Sequence, residues 1–209
     1  MLLAFLVSAP AWCQEDIVEV LRRSQQARLQ AQPPASADSE RAATLRHSFE
    51  QLLQSLQPRP LVELRVTRGA VMAETLHGHI IVVDQSLADA AEPVRLFILA
   101  HELGHVTMQH WQQTSLLYQK WVPGAVTPAR TDPVAAPLGR AASALAHDHE
   151  FAADAYAARL LHTLGYGDDL LPAVFRHIGA SRDTATHPAT YKRLAALRAL
   201  ELDPAPATR

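Results

Sequence analysis

The chain has 209 residues, 19 basic and 21 acidic side chains for a formal net charge of -2, and 48% apolar residues. That length suits one domain with a sizeable core, and the balanced charge without a basic run argues against nucleic-acid binding or a charged membrane footprint. A single cysteine excludes a disulfide framework.

Residues 1–13, Met-Leu-Leu-Ala-Phe-Leu-Val-Ser-Ala-Pro-Ala-Trp-Cys, read as part of a secretory signal with Ala9-Pro10-Ala11 as its cleavage site. The stretch lacks a positive start and is short for a signal. It is also too short to span a bilayer, which takes about 20 apolar residues. If it is a leader, the protein is periplasmic or secreted, with room for peripheral membrane association; if it is a buried segment, the protein is cytoplasmic. Trp12, just before Cys13, argues against a lipid anchor there.

Residues 14–57 read as a helical arm. Ile17, Val18, Val20, Leu21 and Leu29 give its first helix a partial apolar stripe. Gln32-Pro33-Pro34-Ala35-Ser36 breaks it. Asp38 or Ser39 then caps a second helix carrying Leu45, Phe49, Leu52, Leu53 and Leu56 as far as Pro58. From Leu61 the period changes to two. Val62, Leu64 and Val66 alternate with polar residues as a strand, Ala70–Glu74 gives a second, and Leu76–His79 turns into an apolar third, Ile80–Val83. The expectation is a small antiparallel sheet. His77 and His79 flank the turn, where a surface turn accounts for them without a metal.

A helix from about Glu92 to Gln113 follows, with Pro93 in its first turn. It carries His101-Glu102-Leu103-Gly104-His105. The two histidines lie four apart, so their imidazoles project from one face and can share a metal ion at about 2.0–2.1 Å. Glu102, about a quarter-turn away, is placed to face a water beside that ion. Residues 111–140 hold Trp111, Leu116, Leu117, Tyr118, Trp121 and Val122, then Pro123, Pro128, Pro133 and Pro137. So many prolines read as a loop or partly ordered lid.

A second long helix, Leu138–Leu164, ends at Gly165. On it Glu150 offers the third metal ligand, leaving one position open, and Asp154 can accept a hydrogen bond from the outer nitrogen of a ligand histidine. Ala146 and Ala157 are small and would let another helix approach closely. His147 and His149 cannot both face the ion and read as supporting or surface residues. A short helix over Asp169–Ile178 stops at Gly179. The loop 180–186 then delivers His187 and Pro188 to a last helix reaching about Leu202, with Leu194, Leu197 and Leu200 inward.

The set His101-Glu102-Leu103-Gly104-His105, Glu150-Phe151-Ala152-Ala153-Asp154, and Thr186-His187-Pro188 with Arg193 resembles the M48-type zinc metallopeptidases. This gluzincin family includes the HtpX, Ste24, Oma1 and BepA peptidases. The resemblance runs from about Leu61 to Leu200, and His110 also falls where the family often has a histidine. Residues 111–140 depart from the pattern. The resemblance implies an α+β, mainly helical zincin fold over residues 58–204, one zinc ion and proteolysis of protein substrates. It also implies an exposed strand edge above the metal that holds the substrate extended. The periplasmic members point to unfolded or misassembled envelope proteins as substrates.

The mechanism expected is metal-assisted peptide hydrolysis with Glu102 as general base. His187 either donates to the oxyanion or fills the ion's open position, and Arg193 orients the same loop or the substrate carbonyl. Two other readings remain: a chaperone or binding module whose zinc site is structural or plugged, and a hydrolase of small amides.

Overall fold

The computed structural model describes residues 15–69, 71–167 and 170–200. The expected leader over 1–13, the start of the 169–178 helix and the far end of the last helix lie outside the described residues.

Two helices come first, α1 (Ile17–Gln30) and α2 (Glu40–Gln54). Asp16 caps α1 by accepting from Glu19 N, and Ser39 caps α2 by accepting from Ala42 N. Strands β1 (Glu63–Thr67), β2 (Ala73–Leu76) and β3 (Ile80–Asp84) follow. The sheet is mixed, in the order β1-β3-β2. β3 runs parallel to β1 and antiparallel to β2. The expected antiparallel arrangement therefore holds only for the hairpin. All five residues of β3 are buried, so the most apolar strand takes the centre and is paired on both sides. His77 and Gly78 both have positive φ, 53° and 72°, as the central residues of a type I′ turn do, and His79 N closes that turn on Leu76 O (3.2 Å).

A 3₁₀ turn (Gln85–Asp89) leads to α3 (Glu92–Thr107), which stops short of the expected Gln113. Gln109 sits in the left-handed region (φ 57°, ψ 38°), and α4 (His110–Trp121) starts anew. A non-glycine residue held there costs about 1–2 kcal/mol. Burial of His110 and the packing of Trp111 against Gly78 and His77 accompany the break.

The expected loop over 111–140 is thus mostly helical. Only Val122–Thr127 is irregular, and Arg130 closes it with hydrogen bonds to Pro123 O (3.1 Å) and Ala125 O (3.2 Å). Pro128, Pro133 and Pro137 start α5 (Pro128–Thr131), a 3₁₀ turn (Asp132–Val134) and the first turn of α6 (Ala135–Thr163). In a first turn the missing N–H has no partner to lose. Finally come α7 (Leu171–Ile178), ended by Gly179 at φ 85°, and α8 (Thr190–Arg198). No helix among the described residues is long and apolar enough to cross a membrane.

One main core joins Leu45, Phe49 and Leu52 of α2, Leu96, Phe97, Leu99 and Leu103 of α3, and Leu160 and Leu161 of α6. Inside it α3 crosses α6 closely. A Cβ on Gly104 would lie 3.2 Å from Ala153 Cα and 3.2 Å from the Tyr156 ring. Ala157 is buried as expected of a small helix-contact residue, whereas Ala146 is only half-buried. A smaller cluster seats Leu29 of α1 on the outer sheet face with Leu76, Ile80 and Val82. A third gathers Ile17, Val122 and Leu138.

Candidate active site

α3 carries His101, Glu102 and His105, and its close crossing with α6 brings Glu150 and Asp154 opposite them. His101 Nε2 and His105 Nε2 are 3.1 Å apart. Glu150 Oε1 lies 3.4 Å from His105 Nε2, and its Oε2 lies 3.6 Å from His101 Nε2. Two nitrogens bound tetrahedrally to one ion at the usual zinc distance would sit about 3.3 Å apart. His101, His105 and Glu150 are the group among the described residues whose donor atoms lie within 4.8 Å of one another. Glu150 Oε2 is buried without a hydrogen-bond partner, an orphan that a cation at the centre would satisfy. This donor set fits zinc.

The outer nitrogens are also occupied. His101 Nδ1 is 3.0 Å from Asp154 Oδ1, as the spacing of Glu150 and Asp154 led one to expect. Asp154 is itself gripped by Arg193, whose Nε donates to Oδ2 (2.7 Å) and Nη2 to Oδ1 (2.6 Å). Arg193, expected to orient the loop or the substrate carbonyl, is thus buried against Asp154, with Nη1 3.4 Å from Glu150 Oε2. His105 Nδ1 meets His110 Nδ1 at 2.8 Å.

Burial opposes charge on every one of these groups, yet their partners decide most of them. It would raise both carboxyls, but Glu150 is held well below the usual carboxylate range by His101, His105 and Arg193. Asp154 is lowered by its bonds to Arg193 and His101. Burial would depress the His101 imidazolium, but the Glu150 and Asp154 carboxylates outweigh it and raise its pKa. On His110 the pull of Glu150 is outweighed. Burial, then the neighbouring imidazoles, push it down to about 3.

Glu102 is buried beside His101, His105 and Glu150, and the Thr75 hydroxyl shares its proton between Glu102 Oε2 (2.8 Å) and Glu102 O (3.0 Å). β2, an edge of the sheet, therefore borders the site. His187 reaches it from the loop before α8, with Nε2 3.8 Å from Glu150 Oε1 and more than half of the side chain exposed. That loop is fixed by Thr184, which accepts from His187 N (2.9 Å), and by Asp183, which accepts from Ala189 N (2.7 Å). His147 Nε2 donates to Thr184 O (2.8 Å), so this histidine anchors the loop. Of the two supporting residues, His147 was expected as supporting or surface, but Thr75 was not singled out, since only the tertiary fold brings it to Glu102. His77 and His79 stay in the hairpin turn, with His79 Nδ1 bonded to His77 O (3.0 Å).

The site opens on a cleft of about 420 Å³ whose far wall is Leu21, Ser24, Gln25 and Arg28 of α1. α1 is tied to the sheet by an Arg28–Glu74 ion pair and by Gln25, which accepts from His77 N (2.6 Å).

Comparison with known proteins bears on this arrangement. The model of peptidase family M48 matches residues 40–201. The crystal structure of S. mikatae Ste24p resembles the fold at 21% sequence identity and a TM-score of 0.50, over 86% of this chain and 55% of that one. The chain thus spans about half the length of the solved structure it resembles. No curated protein matches it.

Proposed function

The chain belongs to peptidase family M48, and from that premise we propose that it is a zinc-dependent endopeptidase acting on unfolded or misassembled proteins. The observation that carries the reading is the convergence of His101, His105 and Glu150 around one point, with Glu102 lining the same cleft. A zinc ion held by those three residues would supply a Lewis acid that acidifies water and polarises a carbonyl. Glu102 takes the proton of the attacking water and later delivers it to the leaving amine. Thr75 holds the Glu102 carboxylate in place for that transfer. A substrate segment pairs with the free edge of β2 in extended form, and backbone pairing of this kind suits many sequences.

Glu102→Gln is expected to keep zinc and lose casein cleavage by at least about 100-fold, since proton transfer by a positioned base contributes about that much or more. His105→Ala loses both metal and activity. Full cleavage by Glu102→Gln refutes the mechanism. A protein that keeps its activity after complete zinc removal refutes the metal.

His187 separates two readings of the open position. Lying 3.8 Å from Glu150 Oε1, it is near enough to cover the ligands. As an oxyanion donor, its change to Ala slows turnover by about 100-fold or more; as a plug, the same change speeds turnover. A role in the cell envelope draws support from the apolar stretch ending Ala9-Pro10-Ala11. Fractionation of the expressed full chain tests it, and a wholly cytoplasmic product refutes it.

A further inference from the structure

We propose that His110 is a positioning residue for His105: its neutral imidazole accepts the outer Nδ1–H of that ligand and so keeps Nε2 aimed at the metal. The inference rests on the metal assignment above. It starts from the 2.8 Å contact between His105 Nδ1 and His110 Nδ1. Two ring nitrogens at that distance need one donor and one acceptor. The other nitrogen of His105 points at His101 Nε2 (3.1 Å) and Glu150 Oε1 (3.4 Å), where a ligand must present a lone pair. The His105 proton is then on Nδ1, His110 Nδ1 is the acceptor, and His110 carries its own proton on Nε2.

The surroundings hold His110 in that pose. Its ring stacks on His149 at a centroid distance of 3.9 Å and an interplanar angle of 6°. His149 Nε2 in turn donates to Gln113 Oε1 at 3.2 Å. Both imidazoles are buried, so neither ring can turn without losing its face contact. The helix break serves the same end. On a continuous helix a residue five positions after His105 would lie about 140° around the axis from it. The left-handed Gln109 reverses the chain instead, and His110 comes back against the ligand. The two ligand histidines are thus held by different chemistry, His101 by the Asp154 carboxylate and His105 by a neutral ring.

The experiment measures zinc affinity, by competition with a chromophoric chelator, for the full chain and for His110→Leu and His110→Asn. Long-range proton–nitrogen spectra of the zinc-loaded wild type and melting curves of the metal-free forms accompany it. Leu keeps the volume without an acceptor, so zinc binding weakens by about 10–100-fold. Asn presents an oxygen near the place of Nδ1 and recovers most of that loss, which a purely space-filling role would not produce. The wild-type spectrum shows His105 protonated at Nδ1 and His110 at Nε2. Wild-type zinc affinity in His110→Leu, or a His110 proton on Nδ1, overturns the proposal. A wild type that takes up no zinc overturns the metal assignment and this inference together. If the Leu variant does not fold, the wild-type spectrum decides alone.

Discussion

At the scale of single residues, the pair Asp154–Arg193 shows where reading the chain succeeds and where it stops. Glu150 and Asp154 lie four apart on one helix, so their shared face was legible from spacing alone. The partner of Arg193 was not, because it depends on how α8 docks on α6. Asp154 is 1% exposed and Arg193 9%. Removing one member of a buried pair leaves a charge without compensation, at about 3–5 kcal/mol. Arg193→Ala is therefore expected to lower the melting temperature sharply even without metal; an unchanged melt would show that the clamp carries no stability. Asp154→Asn is expected to weaken zinc binding by about 10–100-fold, read by chelator competition.

At the scale of elements, the histidine-bearing helix and its acidic partner were visible as long apolar-patterned runs with a proline start and a glycine stop. Their close crossing was half visible. Ala157 was foreseen, but Gly104 against Ala153 was not, because the contact register of two helices is not written in either one. At 3.2 Å from a backbone atom, a methyl on Gly104 makes α3 and α6 give by a few tenths of an ångström. Gly104→Ala gains about 0.5–1 kcal/mol of helix preference against about 1–3 kcal/mol of overpacking, so a small net loss of stability and weaker zinc binding are expected, read by thermal melts and chelator competition. The break between α3 and α4 left no trace either, since neither glycine nor proline marks Met108-Gln109. Gln109→Gly provides a check. In a continuous helix this change would cost about 1 kcal/mol, but at a left-handed position it leaves stability equal or higher. The prolines after Trp121 misled for the opposite reason: the residue that breaks a helix interior also opens a helix well.

At the scale of the whole molecule, the buried titratable groups set how the metal-free protein responds to pH. In the unfolded chain the histidines take up protons near pH 6.5. Folded His110 resists until about 3, and His149 is also depressed, chiefly by burial. Between those values the unfolded state binds more protons, so stability falls as pH drops from about 6.5 toward 3. Glu150 and Asp154, held low, add a loss below about pH 4, where the unfolded carboxyls are protonated first. His101 works the other way. Its raised pKa stabilises the fold fully below about 6.5, and that contribution disappears as pH climbs through the raised value. Melting temperature without metal should peak near neutrality and decline on both sides, and a flat acid limb in thermal melts would contradict this.

The 29 residues of α6 make it about 44 Å long. Leu138 near one end belongs to the small cluster with Ile17 and Val122, Leu160 and Leu161 near the other to the main core, and Glu150 stands between them. Fraying from either tip must first pull an anchored leucine free, so amide exchange within α6 is expected to be slowest around Glu150. A cation held by Glu150 would then meet a third arm that folding has already ordered, so the entropy of ordering it would be lost on folding instead of on capture.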